Sequence, residues 1–135
     1  DYTNTSYLRL KNGLYGTFSN SATTNSRLKV QFLIDSPNEI AIKLFEYGTS
    51  EVKGYYSDPS YYIYVKDEAG VSHTFSGKNS SDRIEINSSD CPKLHKLFIE
   101  NTILKFYITF GSNTTYNFTL TNDSSYKSFF DELDR

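Results

Sequence analysis

Apolar and polar residues alternate along most of the chain. In "RLKVQFLID", Leu28, Val30, Phe32 and Ile34 share one face, while Lys29 and Gln31 take the other. That is the period of a half-buried strand. Ser36-Pro37-Asn38 supplies a turn, and "EIAIKLFEY" resumes the pattern with Ile40, Ile42 and Leu44 inward. The two runs predict an antiparallel hairpin with a short loop. From Gly48 to Ser60 the chain reads as a loop, with a short strand over Glu51–Tyr55. "YYIYVKDEAGVSHTFSG" predicts a second hairpin, with Tyr61–Lys66 going out, Asp67 to Gly70 turning and Val71–Ser76 returning. Gly70 suits the left-handed position of such a turn. "DRIEIN" adds another short strand.

The period then changes from 2 to about 3.6. Pro92 disfavours a helical conformation at the residue before it and is welcome at a first helical position. The spacing therefore predicts Cys91 as N-cap and a helix over 92–100, with Leu94, Leu97 and Phe98 on one side and Lys93, Lys96 and Glu100 opposite. "TILKFYITFG" follows as a strand with Leu104, Phe106, Ile108 and Phe110 inward. "TYNFTLTN" pairs back with Tyr116, Phe118 and Leu120 inward. Ser124 or Ser125 can cap a second helix over 125–133, with Tyr126, Phe129, Phe130 and Leu133 on one face. About seven to eight antiparallel strands and two short amphipathic helices predict a mainly β fold. Either a β-sandwich or a partly open barrel fits, with the helices capping an end or an edge. The domain spans residues 13–135, behind a polar N-terminal tail of residues 1–12.

Composition sharpens this picture. Only 37% of residues are hydrophobic, yet the chain holds 12 Tyr and 10 Phe, so aromatic rings supply much of the core mass. A net charge of -2 without a basic cluster argues against a nucleic-acid partner. No run of eighteen apolar residues is present, so no transmembrane segment is expected. The single cysteine rules out an internal disulfide. The opening "DYTNTSYLRLKNG" is polar and reads as the mature start of a secreted protein, with room for a lipid anchor upstream of residue 1. The expectation is an extracytoplasmic location. Asn4, Asn79, Asn87, Asn113, Asn117 and Asn122 each open an Asn-x-Ser/Thr triplet, which indicates a polar exterior.

The element order of residues 60–133 also carries a resemblance. Hairpin, "SDRIEI", the short "CPKLHKLF" helix, "LKFYITF", "YNFTL" and a terminal helix resemble small bacterial envelope β-sandwich proteins, type VI secretion-associated ones among them. The whole looks like the exported β-sandwich proteins and lipoproteins of Bacteroides-type bacteria. The chain departs from the secretion-linked group in lacking tryptophans and a terminal cysteine. The resemblance implies an envelope location and no activity.

Candidate chemistry begins at Cys91 and His95. A thiol at a helix N-terminus is activated by the dipole, and a His one turn on could accept its proton. Against this, Cys91 projects beside Leu94 and Phe98, where Cys behaves as a small hydrophobe, and no Gly-rich oxyanion turn precedes it. The packing reading is preferred. Cys91, His73 and His95 supply at most three soft ligands where structural zinc takes four. Asp67 and Glu68 share a hairpin tip without the alternating oxygen ligands of a calcium loop. Asp58, Asp82 and Asp90 sit beside turn residues, where carboxylates cap or bond locally. No cofactor is expected.

The feature furthest above background is "GYYSDPSYYIY". If Ile63 and Val65 face the core, Tyr62 and Tyr64 face outward, with Tyr55 and Tyr56 on the adjoining loop. Rigid exposed rings serve as binding platforms at little entropic cost. Ordinary strand propensity is the competing explanation. The expected function is a non-catalytic binding module that recognises a protein partner or a glycan through Tyr55, Tyr56, Tyr62 and Tyr64. The alternatives are a structural envelope subunit and, behind it, a Cys91-dependent hydrolase.

Overall fold

The alternating runs fold as strands and close on themselves. A computed structural model describes residues 2–4, 8–10, 14–36 and 38–121, with backbone only for the first two segments and residue 35. In chain order the strands are β1 (Tyr2–Asn4), β2 (Leu8–Leu10), β3 (Leu14–Ser19), β4 (Ser26–Ser36), β5 (Glu39–Glu46), β6 (Ser50–Glu51), β7 (Tyr61–Lys66), β8 (Ser72–Ser80) and β9 (Arg83–Ile86). Helix α1 (Cys91–Glu100), β10 (Ile103–Phe110) and β11 (Thr114–Thr121) complete the described elements. Around the barrel the order is β3-β4-β5-β9-β8-β7-β10-β11, and β11 pairs back onto β3; every pairing is antiparallel.

The mainly antiparallel β class is as the alternation predicts, but the two-layer sandwich is not. The eight strands form one closed barrel. Closure leaves no barrel strand with an unpaired edge, and eight strands enclose an interior that side chains can fill. Two features of the sequence permit it. Strand β4 is long enough to pair with β3 through Ser26–Val30 on one side and with β5 through Leu28–Ile34 on the other. Gly16 lets β3 approach β11, since a Cβ there would lie 2.0 Å from the Asn117 carbonyl oxygen. That glycine also interrupts the alternation of "LYGTFS", which is why β3 is not legible in the sequence.

Phe32 sits at the centre of the interior, with ring centroids 5.5 Å from Phe98, 5.4 Å from Phe106 and 5.9 Å from Phe118. Helix α1 plugs one end and buries Cys91, Leu94, Leu97 and Phe98. It begins one residue earlier than the spacing predicts: the N-cap is Asp90, not Cys91. The Asp90 carboxylate does not cap the helix; it accepts the Ser76 amide at 3.0 Å and so ties the helix start to β8. At the other helix end Asn101 Oδ1 accepts from the Glu68 amide, and Glu68 Oε1 accepts from the Thr102 amide at 2.6 Å. The far end of the barrel is filled by Phe18, Tyr61, Phe110 and Tyr116. The Tyr116 hydroxyl donates to Glu46 Oε2 at 2.9 Å across the lumen.

Other expectations need adjustment. Within residues 1–12, read as a polar tail, β1 and β2 pair with each other and β2 adds to β4. The short strand expected over Glu51–Tyr55 is reduced to Ser50–Glu51 and a single bridge between Gly54 and Ser81. The helix expected over 125–133 lies outside the described residues. Among the described residues, no helix is long and apolar enough to cross a membrane.

Candidate functional site

Strand β7 alternates strictly: Tyr61, Ile63 and Val65 are buried, and Tyr62, Tyr64 and Lys66 are exposed. Its neighbour β10 buries Leu104, Phe106 and Ile108 and exposes Lys105 and Tyr107. The register sets Tyr64 directly opposite Tyr107, Tyr62 opposite Thr109, and Lys66 opposite Lys105. The Tyr64 and Tyr107 rings stand 6.1 Å apart, tilted by 41°. Tyr62, Tyr64 and Tyr107 remain 52%, 38% and 42% exposed. Because the buried side chains of β7 and β10 lie on the inner face, these outward rings have no role in filling the barrel.

Three other aromatics, Tyr15, Phe45 and Tyr56, are treated differently. The Arg27 guanidinium lies 4.7 Å from the Tyr15 ring centre. Lys29 and Lys43 approach Phe45 at 5.7 and 5.6 Å, and Lys78 approaches Tyr56 at 5.9 Å. Each of those ring faces is covered by a cation of the chain itself. Among the described residues no cation covers Tyr62, Tyr64 or Tyr107.

Tyr55 and Tyr56 lie on the loop before β7, in a turn closed by Asp58: the Tyr55 amide donates to Asp58 Oδ2 at 2.8 Å. Their rings are strongly exposed. Tyr56 lines a cleft of about 380 Å³ on the outer surface between β5 and β9. Leu33 and Ala41 contribute apolar lining, while Glu39, Glu85, Lys78 and Arg83 bring balanced charge. The cleft exists because β5 and β9 pair only over Ala41–Ile42 and Ile84–Glu85, then diverge towards Glu39 and Asn87. The predicted tyrosines thus fall in two places. Tyr62 and Tyr64 form a ladder with Tyr107, and Tyr56 walls a cleft reached across β8.

Tyr107 is the residue that sequence reasoning missed. Alternation already turned it outward, but β7 and β10 are remote in the chain, and only their register joins Tyr107 to Tyr64.

The remaining candidates are engaged in structure. Cys91 is fully buried, its Sγ donating weakly to the Ile86 carbonyl oxygen at 3.6 Å. Burial pushes its thiol above the usual range, the reverse of dipole activation. His73 meets Asp67 Oδ2 at 2.9 Å, and Asp67 Oδ1 accepts the Ala69 and Val71 amides. The His73 hydrogen bond, with the amide donors, holds the Asp67 carboxyl below the usual carboxylate range. Asp82 lies lower as well, chiefly through Arg83 and then Lys43. Among the described residues no three of His, Cys, Asp and Glu gather as a metal site requires. Of the Asn-x-Ser/Thr positions, Asn79 is buried inside the barrel, closed to any modifying enzyme in the folded state.

Compared with protein-family models, with curated proteins and with solved structures, the chain gives no match.

Proposed function

We propose that the chain is a non-catalytic, extracytoplasmic binding module that takes a glycan or a protein partner on its tyrosine-bearing outer face. The observation that carries this reading is the uncovered ladder of Tyr62, Tyr64 and Tyr107 on strands whose core face is already filled. Exposed, rigid rings held on paired strands lose little entropy when a ligand covers them. The burial of Cys91 supports the non-catalytic part, since it withdraws the thiol weighed above as a nucleophile. The extracytoplasmic part rests on the resemblance to exported envelope proteins.

Replacing Tyr62, Tyr64 and Tyr107 together by Ser tests the reading on a glycan array and on a panel of purified envelope proteins. All three side chains are exposed, so the fold should survive. Losing the Tyr64–Tyr107 pair is expected to cost about 1 kcal/mol or less. Affinity for whichever probe the native chain binds should fall at least about tenfold. Unchanged affinity in a folded triple variant removes the ladder as the binding surface. Changing Tyr55 and Tyr56 alone then decides whether the cleft wall takes its place.

A further inference from the structure

The tyrosine ladder does not end in neutral surface. Along β7 and β10 the outward pairs run Tyr62–Thr109, Tyr64–Tyr107, Lys66–Lys105. The two lysines are directly opposite each other, and both are exposed. Like charges facing each other across a ladder are destabilising. Lys43, by contrast, is neutralised by Glu51 and Asp82 at 3.5 and 3.2 Å. Among the described residues neither Lys66 nor Lys105 has an ion pair.

The flanking strands repeat the bias. The positions registered beside these pairs on β8 and β11 are Ser, Thr and Asn throughout. Four strands wide and three levels long, this face carries two lysines, three tyrosines and no carboxylate, in a chain with 16 acidic residues. The acids of the adjoining turn are committed: Asp67 to His73 and two amides, Glu68 to the Thr102 amide. Three levels two residues apart span about 13 Å, the reach of a short oligosaccharide. The face offers ring surfaces, hydroxyls and amides, and one unneutralised cationic pair.

We propose that the ligand of this face is an acidic polysaccharide, its sugar rings lying on Tyr62, Tyr64 and Tyr107 and its carboxylate or sulfate groups between Lys66 and Lys105. The inference rests on the ladder being the binding surface. Hydroxyl-rich strands suit a ligand that is itself polyhydroxylated. An acidic peptide would find the charge but no apolar pocket, since the aliphatic side chains of these strands point into the barrel at every one of these levels.

Affinity gel electrophoresis with dextran sulfate, dextran or polyglutamate in the gel separates the outcomes, using the native chain, Lys66→Ser/Lys105→Ser and the Tyr62/Tyr64/Tyr107→Ser triple. Dextran sulfate should retard the native chain, dextran weakly or not at all, and each variant should need about tenfold more polymer for equal retardation. Equal retardation of the lysine variant overturns the inference. So does a triple variant retarded as strongly as the native chain, which marks charge alone. Polyglutamate retarding as well as dextran sulfate makes the partner an acidic protein and overturns the glycan. If dextran retards the native and lysine-variant chains alike while the tyrosine variant is not retarded, the ladder reading stands and the acidic-ligand inference falls. If none of the three polymers retards the native chain, the acidic-polysaccharide inference falls, and the array and protein panel judge the ladder separately.

Discussion

Replacing Gly16 by Ala tests the closed barrel on which the outer face depends. The Gly16 backbone is not in the left-handed region, so Ala suits its conformation. The obstacle is space alone. The new Cβ would lie 2.0 Å from the Asn117 carbonyl oxygen and 2.7 Å from the Phe118 Cβ. Real Cβ atoms do not approach backbone oxygen so closely, so β3 and β11 must separate by about 1 Å to restore ordinary contact. Asn117 cannot retreat freely, because it is paired with Tyr107 on its other side and the ring of strands is closed. Overpacking of this kind costs about 1–3 kcal/mol or more, and the lower entropy of the unfolded Ala chain returns about 0.4–1. A backbone oxygen as the obstacle puts the net loss in the upper part of that range, about 2 kcal/mol. For 135 residues that lowers Tm by roughly 7 °C. Thermal unfolding followed by circular dichroism reads it directly. In an open sheet or sandwich with β3 at an edge, the added methyl would meet nothing and raise Tm by about 1–3 °C. The sign therefore decides: an unchanged or higher Tm refutes the β3–β11 seam.

Two further predictions concern buried groups. Burial, opposed by Asn79 and reinforced by Asp58 and Glu46, pushes the Tyr61 phenol up to about 12. Burial and the Glu46 carboxylate raise Tyr116 as well. Below pH about 10 both phenols are protonated, folded or unfolded, and stability is independent of them. Above it the unfolded chain loses protons that the folded chain keeps, so stability falls as pH rises from about 10 towards 12. Urea midpoints across that window should fall less steeply in Tyr61→Phe and Tyr116→Phe than in the native chain, and identical slopes would refute the burial argument. Native Cys91 should react with iodoacetamide at pH 8 roughly a hundredfold slower than a free thiol, with full reactivity in denaturant. Labelling at the free-thiol rate would return Cys91 to the list of nucleophiles.

What was legible in the sequence follows from the range of the interactions involved. The Asp67–Gly70 turn and its flanking strands were readable because the Asp67 carboxylate, the Gly70 conformation and the alternation of Tyr61–Lys66 all act within a few residues. The apolar face of α1 was readable from its period, whereas its first residue was not. The Asp90 side chain serves the Ser76 amide, a partner 14 residues away. Closure was illegible for the same reason. It is set by the long β4 and by Gly16 beneath Asn117, a partner that lies far along the chain and leaves no mark on any local period. At the candidate site, outward direction was legible for Tyr62 and Tyr64, but the partnership with Tyr107 and the meeting of Lys66 with Lys105 are facts of register.

The two surface features also differ in how firmly they are held, and this decides between them as a recognition surface. The Tyr56 cleft sits where β5 and β9 share only two registered residues each, and Tyr56 itself comes from a loop. A ligand there would rest on the barrel seam with the fewest registered pairs and on a loop-borne ring, and fixing that ring opposes affinity. The ladder lies over β7 and β10, which pair without interruption from Tyr61–Phe110 to Lys66–Lys105, each with a further strand alongside. Ile63, Val65, Phe106 and Ile108 anchor those strands from inside with essentially no exposure. Rings on such a base are fixed in position before any ligand arrives, so the free energy of contact goes into binding. The chain covers Tyr15, Phe45 and Tyr56 with its own cations, and it leaves uncovered the set on this long, continuous seam. Rigidity and uncovered exposure coincide at the ladder, and on that ground the ladder, not the larger cleft, is the surface we propose for recognition.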